Sequence, residues 1–322
     1  LCARISASTG GCPVGSGIAP IVAGLALAFS GGVASGADGV ADARLGDIAA
    51  WFAQNQLWVL LGVFCFSIIL VWRLGMFRAG GLEAGNRDVK PIPAVMWLFA
   101  SMTTFLALAL GASAAGEIEW LQTAPIKGEA LRGTLSAGVG VLVGLGLLWF
   151  VAQKAPDAGS RPQWADWPLG IGLFFAVYPI VAVIGLAGLW VARGFDTVQQ
   201  DPLAHETLRL IAQHRGDPWM WALIGVLIVL VPLAEELIYR VYLQSALLRL
   251  LRSRWLAVLL TSALFVAAHW TMLPEGGKHA VAPLFALSVA IGAAYERTGR
   301  FGVPVAMHAS FNAFNLLLAF LY

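Results

Sequence analysis

The side chains that could do chemistry in this sequence lie in its last third: Glu235, Glu236, Arg240, His269, His308, Asn312 and Asn315. Carboxylates, imidazoles and carboxamides in one another's company can move a proton, polarise a water molecule or donate hydrogen bonds to a developing oxyanion. All seven fall in hydrophobic stretches. A charged group at membrane depth costs about 2.5–3.5 kcal/mol on insertion scales, so their clustering points to one polar site. In the segment Ala234-Glu235-Glu236-Leu237-Ile238-Tyr239-Arg240, a helix puts Glu236 and Arg240 four residues apart with the acid first. That is the favourable ion-pair geometry. Glu235 has no cation at that spacing; its neighbours there are Val231 and Tyr239. A division of labour follows. Glu236 stays ionised against Arg240, while Glu235 is desolvated without a local cation, the condition of a general base tuned toward neutral pH.

In a soluble helix the Glu-Glu-x-x-x-Arg pattern would be an ordinary surface ion pair; the apolar setting makes it informative. Phe265 and His269 share a helix face, and so do His308 and Asn312. Taken alone, His269 reads as an interfacial histidine, and the His308/Asn312 pair as an interhelical hydrogen-bonding couple. The three elements together are far more specific than any one of them.

These residues need elements to hold them, and the composition says which kind. Of 322 residues, 59% are apolar and 12% charged, against about 25% charged in soluble domains. Mean hydropathy is +0.78. Such a chain cannot cover an aqueous surface, which excludes a soluble globular protein and a disordered chain. A net charge of +2 gives no field for a polyanion, which excludes nucleic acid as a partner. The apolar runs predict an all-α, polytopic transmembrane helical bundle of about eight spans. They are Leu57–Phe77, Ile92–Ala115, Thr134–Ala152, Pro168–Ala192, Trp219–Leu248, Trp255–Leu273, Ala280–Tyr295 and Val303–Tyr322. The fifth is too long for a straight crossing, and Pro232 should kink it.

Residues 1–37 read as a signal peptide or an extra transmembrane helix: Arg4, then the apolar core Ile18–Phe29, then small residues. Residues 38–217 would hold N-terminal spans of unknown role, and 218–322 the catalytic helical core. Ten Lys/Arg fall in the loops after the odd-numbered spans (Arg78, Arg87, Lys90, Lys154, Arg161, Arg249, Arg252, Arg254, Arg297 and Arg300), and seven in the opposite loops. The first set is therefore expected on the cytoplasmic side. The expected location is a bacterial inner (plasma) membrane. Counting along the helices leaves a tension. Glu235 and His269 lie about 21 and 22 Å from the charged ends Arg249 and Arg254, but His308 only about 12 Å from Arg300. Either the last helix starts deep, helped by Gly302 and Pro304, or Arg300 does not mark the charged end of the span. Cys2, Cys12 and Cys65 show no metal or redox spacing. His205, His214 and His279 read as solvated loop residues.

The ordered triplet E-E-x-x-x-R, F-x-x-x-H, H-x-x-x-N on successive spans resembles the CPBP (Abi) family of intramembrane endopeptidases. That family includes type II CAAX prenyl proteases and bacteriocin-processing or immunity proteins. Here the motifs are Glu235-Glu236…Arg240, Phe265…His269 and His308…Asn312. The likeness covers about residues 219–322, and the first 200 residues add nothing to it. It implies hydrolysis of a peptide bond in a membrane-associated or lipidated peptide or protein. Glu235 would activate water, His269 would hold or polarise it, His308 and Asn312 would stabilise the oxyanion, and Glu236 and Arg240 would orient the site. The resemblance favours no obligatory cofactor. Zinc is the alternative, since Glu235, His269 and His308 are a legitimate ligand set, although no H-E-x-x-H is present. Two rival readings use the same residues: a non-catalytic scaffold or immunity protein of this fold, and a proton-coupled transporter. No second polar cluster in the N-terminal half supports the transporter.

Overall fold

The computed structural model describes residues 39–76, 78, 80–193, 206–270 and 280–321. The signal-like segment 1–37, His205 and His279 lie outside the described residues. Ten helices follow in order: α1 Gly39–Arg73, α2 Ala94–Gly116, α3 Glu119–Thr123, α4 Pro125–Lys154, α5 Asp166–Arg193, α6 Glu206–Gln213, α7 Pro218–Leu251, α8 Arg254–His269, α9 Val281–Thr298 and α10 Gly302–Leu321. Among the described residues there is no strand. Helices α2, α4, α7 and residues 166–188 of α5 are long and apolar enough to cross a membrane, and Trp58–Arg73 and α8 are shorter apolar helices. The protein is an integral membrane helical bundle.

The helix ends follow local rules. Asp217 caps α7, accepting from the Trp219 N–H at 2.9 Å, and Pro218 stands at the first helical position, where no N–H is needed. Arg252 closes α7 in the left-handed region (φ 55°), and Ser253 then caps α8. Gly299 (φ 61°) ends α9 in the same way, as a residue without Cβ readily does.

Helix α7 is the centre of the bundle and is not a simple kinked rod. Two stretches, Val226–Leu230 and Leu237–Gln244, are wound as π-helix, and they flank a six-residue α segment, Val231–Glu236. Pro232 accounts for the first, since it removes a backbone donor. Bonds to neighbouring helices steady the second: Ser101 of α2 donates to the Ile238 carbonyl at 3.1 Å, and the stretch's own Tyr242 hydroxyl donates to the Gly144 carbonyl of α4 at 2.6 Å. Gly144 lets α4 approach this closely, because a Cβ there would lie 2.9 Å from the Leu237 side chain.

The depth tension resolves in the packing of α10. Its first residues, Gly302 and Val303, are buried, as is Phe301 just before them. Arg300 pairs with Asp166, fully buried at the start of α5, at 2.5 Å. A Cβ at Gly302 would overlap the Asp166 carboxylate. The last helix therefore begins inside the bundle, and His308 reaches the level of Glu235. Several loops of the odd-numbered set gather at one end of the molecule. Arg87 pairs with Glu296, Arg254 pairs with Glu296 at 2.5 Å and donates to the Arg87 carbonyl at 3.1 Å, and Arg297 donates to the Gly81 carbonyl at 2.6 Å.

Candidate active site

Glu235 and Glu236 sit at the end of the short α segment of α7, where the second π stretch begins. Adjacent residues on a helix point about 100° apart, so the two acids meet different neighbours. Glu236 is fully buried beside Arg240, also fully buried, with Oε2 3.2 Å from the Arg240 Nε. Its other oxygen, Oε1, accepts from His308 Nδ1 at 2.8 Å. The Arg240 guanidinium continues inward, donating to Ser288 Oγ of α9 at 3.1 Å and lying 5.1 Å from the centre of the Phe265 ring. The predicted Glu236–Arg240 pair is present in space.

The sequence leaves Glu235 without a partner; the structure supplies two, neither local. His269 Nε2 of α8 lies 3.6 Å from Glu235 Oε1, and His308 Nε2 of α10 lies 3.7 Å from Oε2. The acid is thus flanked by imidazoles on both sides. Its side chain keeps 17% exposure, and His269 keeps 23%, so the group is open on one side. The ring orientations are set from behind. His269 Nδ1 faces the Phe265 carbonyl at 2.8 Å. A carbonyl can only accept, so Nδ1 carries a proton and Nε2 is turned toward Glu235. His308 is oriented likewise by the Glu236 carboxylate. Phe265 forms the wall between them, its ring 4.3 Å from His269, 6.1 Å from His308 and 5.0 Å from Tyr239, centre to centre.

Asn312 makes a different contact from that of its neighbour His308. Its Nδ2 donates to the Leu227 carbonyl of α7 at 2.8 Å. Asn315 bonds within its own helix, to the Phe311 carbonyl at 3.0 Å. His214, expected in solvent, is half-buried and bonded to the Leu210 carbonyl at 2.9 Å. Among the described residues no group of three His, Cys, Asp or Glu is arranged to hold a metal ion. No step below passes through a metal.

Sequence reasoning missed a second buried network, one to two turns along α7. Glu296 of α9, fully buried, receives Arg87, Arg254 and the Gln244 Nε2 at 2.8 Å. Arg87 also donates to Ser245 Oγ at 2.6 Å and stacks 3.8 Å from the Tyr295 ring centre. The available signal was Glu296, an acid at the end of an apolar run. Ser288, the partner of Arg240, carried no signal at all.

Glu235, His269 and His308 thus form one polar cluster within the helical bundle. Residues 217–314 match the family model described as type II CAAX prenyl endopeptidase Rce1-like. The C-terminal part of this chain therefore carries a domain of the CAAX protease family that its motifs resemble. No curated protein and no solved structure matches the chain.

Proposed function

We propose that the chain hydrolyses a peptide bond in a membrane-associated or lipidated peptide or protein, with Glu235 activating the attacking water. The observation that carries this reading is the pair of Nε2 atoms, 3.6 and 3.7 Å from the two oxygens of one carboxylate. Those separations are too long for direct hydrogen bonds. A water bonded to Glu235 lies within reach of both rings.

The chemistry then balances. Glu235 takes a proton from the water as the oxygen attacks the scissile carbonyl. The Nε2 lone pair of His269 accepts the other water hydrogen and aims the oxygen. Protonated His308, with its Nδ1–H held by Glu236, presents Nε2–H to the oxyanion; one such donor in a dry site is worth about 3 kcal/mol. When the tetrahedral species collapses, Glu235 returns its proton to the departing amine. Glu236 and Arg240 hold His308 in place and do not touch the reacting atoms. The proposed partners are the lipid bilayer and a peptide or lipidated protein substrate.

The test uses purified protein in lipid vesicles with a prenylated peptide ending in a fluorogenic CAAX-type segment. Wild type cleaves it, and His269→Ala and His308→Ala each lose at least about a hundredfold in kcat/KM. Wild-type rates in both variants would remove the assignment.

A further inference from the structure

Resting on that reading of Glu235, we propose that Asn312 is a positioning residue, supplying to helix α7 the hydrogen-bond donor that Pro232 takes away. The backbone arithmetic is local. A carbonyl inside a helix receives the N–H of residue i+4 in an α turn or i+5 in a π turn. For Leu227 these are residues 231 and 232. The Val231 N–H goes to the Val226 carbonyl instead, and residue 232 is proline, with no N–H to give. The Leu227 carbonyl is thus left without a donor by its own helix, at a depth where no bulk water can serve. Asn312 Nδ2 fills the place at 2.8 Å.

The placement gives the bond a catalytic consequence. Asn312 lies one turn beyond His308 on α10, and His308 holds Glu236 through Nδ1 at 2.8 Å. Two bonds from one helix therefore grip α7 on both sides of its short α segment, at Leu227 before Pro232 and at Glu236 after it. Glu235 stands on that gripped segment. Without the first grip the π turn can relax, and the Glu235 carboxylate swings relative to His269 and His308. The resemblance gives Asn312 an oxyanion role. The contact at Leu227 commits one Nδ2 hydrogen to the helix.

The test is a double-variant cycle on the full chain in lipid vesicles, with the prenylated peptide as probe. Pro232→Ala restores an N–H that can serve Leu227 within the helix. Asn312→Ala in the wild-type background lowers kcat at least about thirtyfold, with KM moved less than about threefold. In the Pro232→Ala background the same change costs less than about threefold. In parallel, hydrogen exchange of the amides in 231–240 speeds at least about tenfold in Asn312→Ala and returns toward the parent rate in the double variant. Equal loss of activity in both backgrounds, with unchanged exchange, overturns the proposal. If Pro232→Ala is itself inactive, the exchange result decides. If Asn312→Ala does not fold alone, a folded double variant supports the proposal, and an unfolded one overturns it. Full cleavage by Glu235→Gln would instead sink the reading of the site while leaving the exchange result standing.

Discussion

Replacing Glu236 by glutamine tests the division of labour between the two adjacent acids. Glu236 and Arg240 are both fully buried, with Oε2 3.2 Å from Nε. The substitution keeps the shape and removes the charge. Arg240 is then a buried guanidinium left with Ser288 Oγ at 3.1 Å and the face of Phe265. Stripping one partner from a buried pair costs about 3–5 kcal/mol, because the other charge stays behind uncompensated. At a few degrees per kcal/mol for a chain of this size, the melting temperature should fall by roughly 10 °C. Arg240→Met should fall comparably, for the mirror-image reason. The double variant Glu236→Gln/Arg240→Met should melt well above the sum of the two losses, since it leaves no lone charge. The assay is thermal unfolding of purified protein in one detergent. A Glu236→Gln variant melting within about 2 °C of wild type, or a strictly additive double variant, would refute the reasoning.

Glu296→Gln should lower the melting temperature, because it leaves the fully buried Arg87 guanidinium without its carboxylate; the rate per folded molecule should change less than about threefold, as measured by active-site-normalised cleavage. Gly170→Leu should abolish cleavage and cut the yield of folded protein, since even a Cβ there would press 2.5 Å from Ala306 Cβ and 2.7 Å from the Val303 carbonyl, forcing α10 and its His308 away from α7. Cleavage should continue after exhaustive chelation. Activity lost to a chelator and recovered only with Zn²⁺ would return Glu235, His269 and His308 to the role of ligands.

The sequence made the helical membrane class legible because charge is so sparse, and it made the Glu236–Arg240 pair legible because i,i+4 spacing is a local property. The partners of Glu235 were not legible. They come from α8 and α10, and no spacing rule reports which faces of three helices converge. The bend at Pro232 was predicted, but the two π stretches were not, since their register depends on Ser101, the Gly144 carbonyl and Asn312, contributed from other parts of the fold. The start of α10 shows the same limit. Gly302 and Pro304 suggested a deep beginning, yet the cause is Asp166, 136 residues earlier in the chain than Gly302. Glu296 stood in plain view, and its three partners come from a loop (Arg87), the start of α8 (Arg254) and α7 (Gln244).

The central claim is that Glu235 deprotonates a water molecule and never bonds to the substrate. A single turnover in H₂¹⁸O, with enzyme in excess over a prenylated peptide, reads this directly by mass spectrometry of both product and protein. One ¹⁸O in the new product carboxylate and none in the peptide carrying Glu235 is the predicted result. ¹⁸O in Glu235, with an unlabelled product, would mean that the carboxylate itself attacked, and would contradict the account.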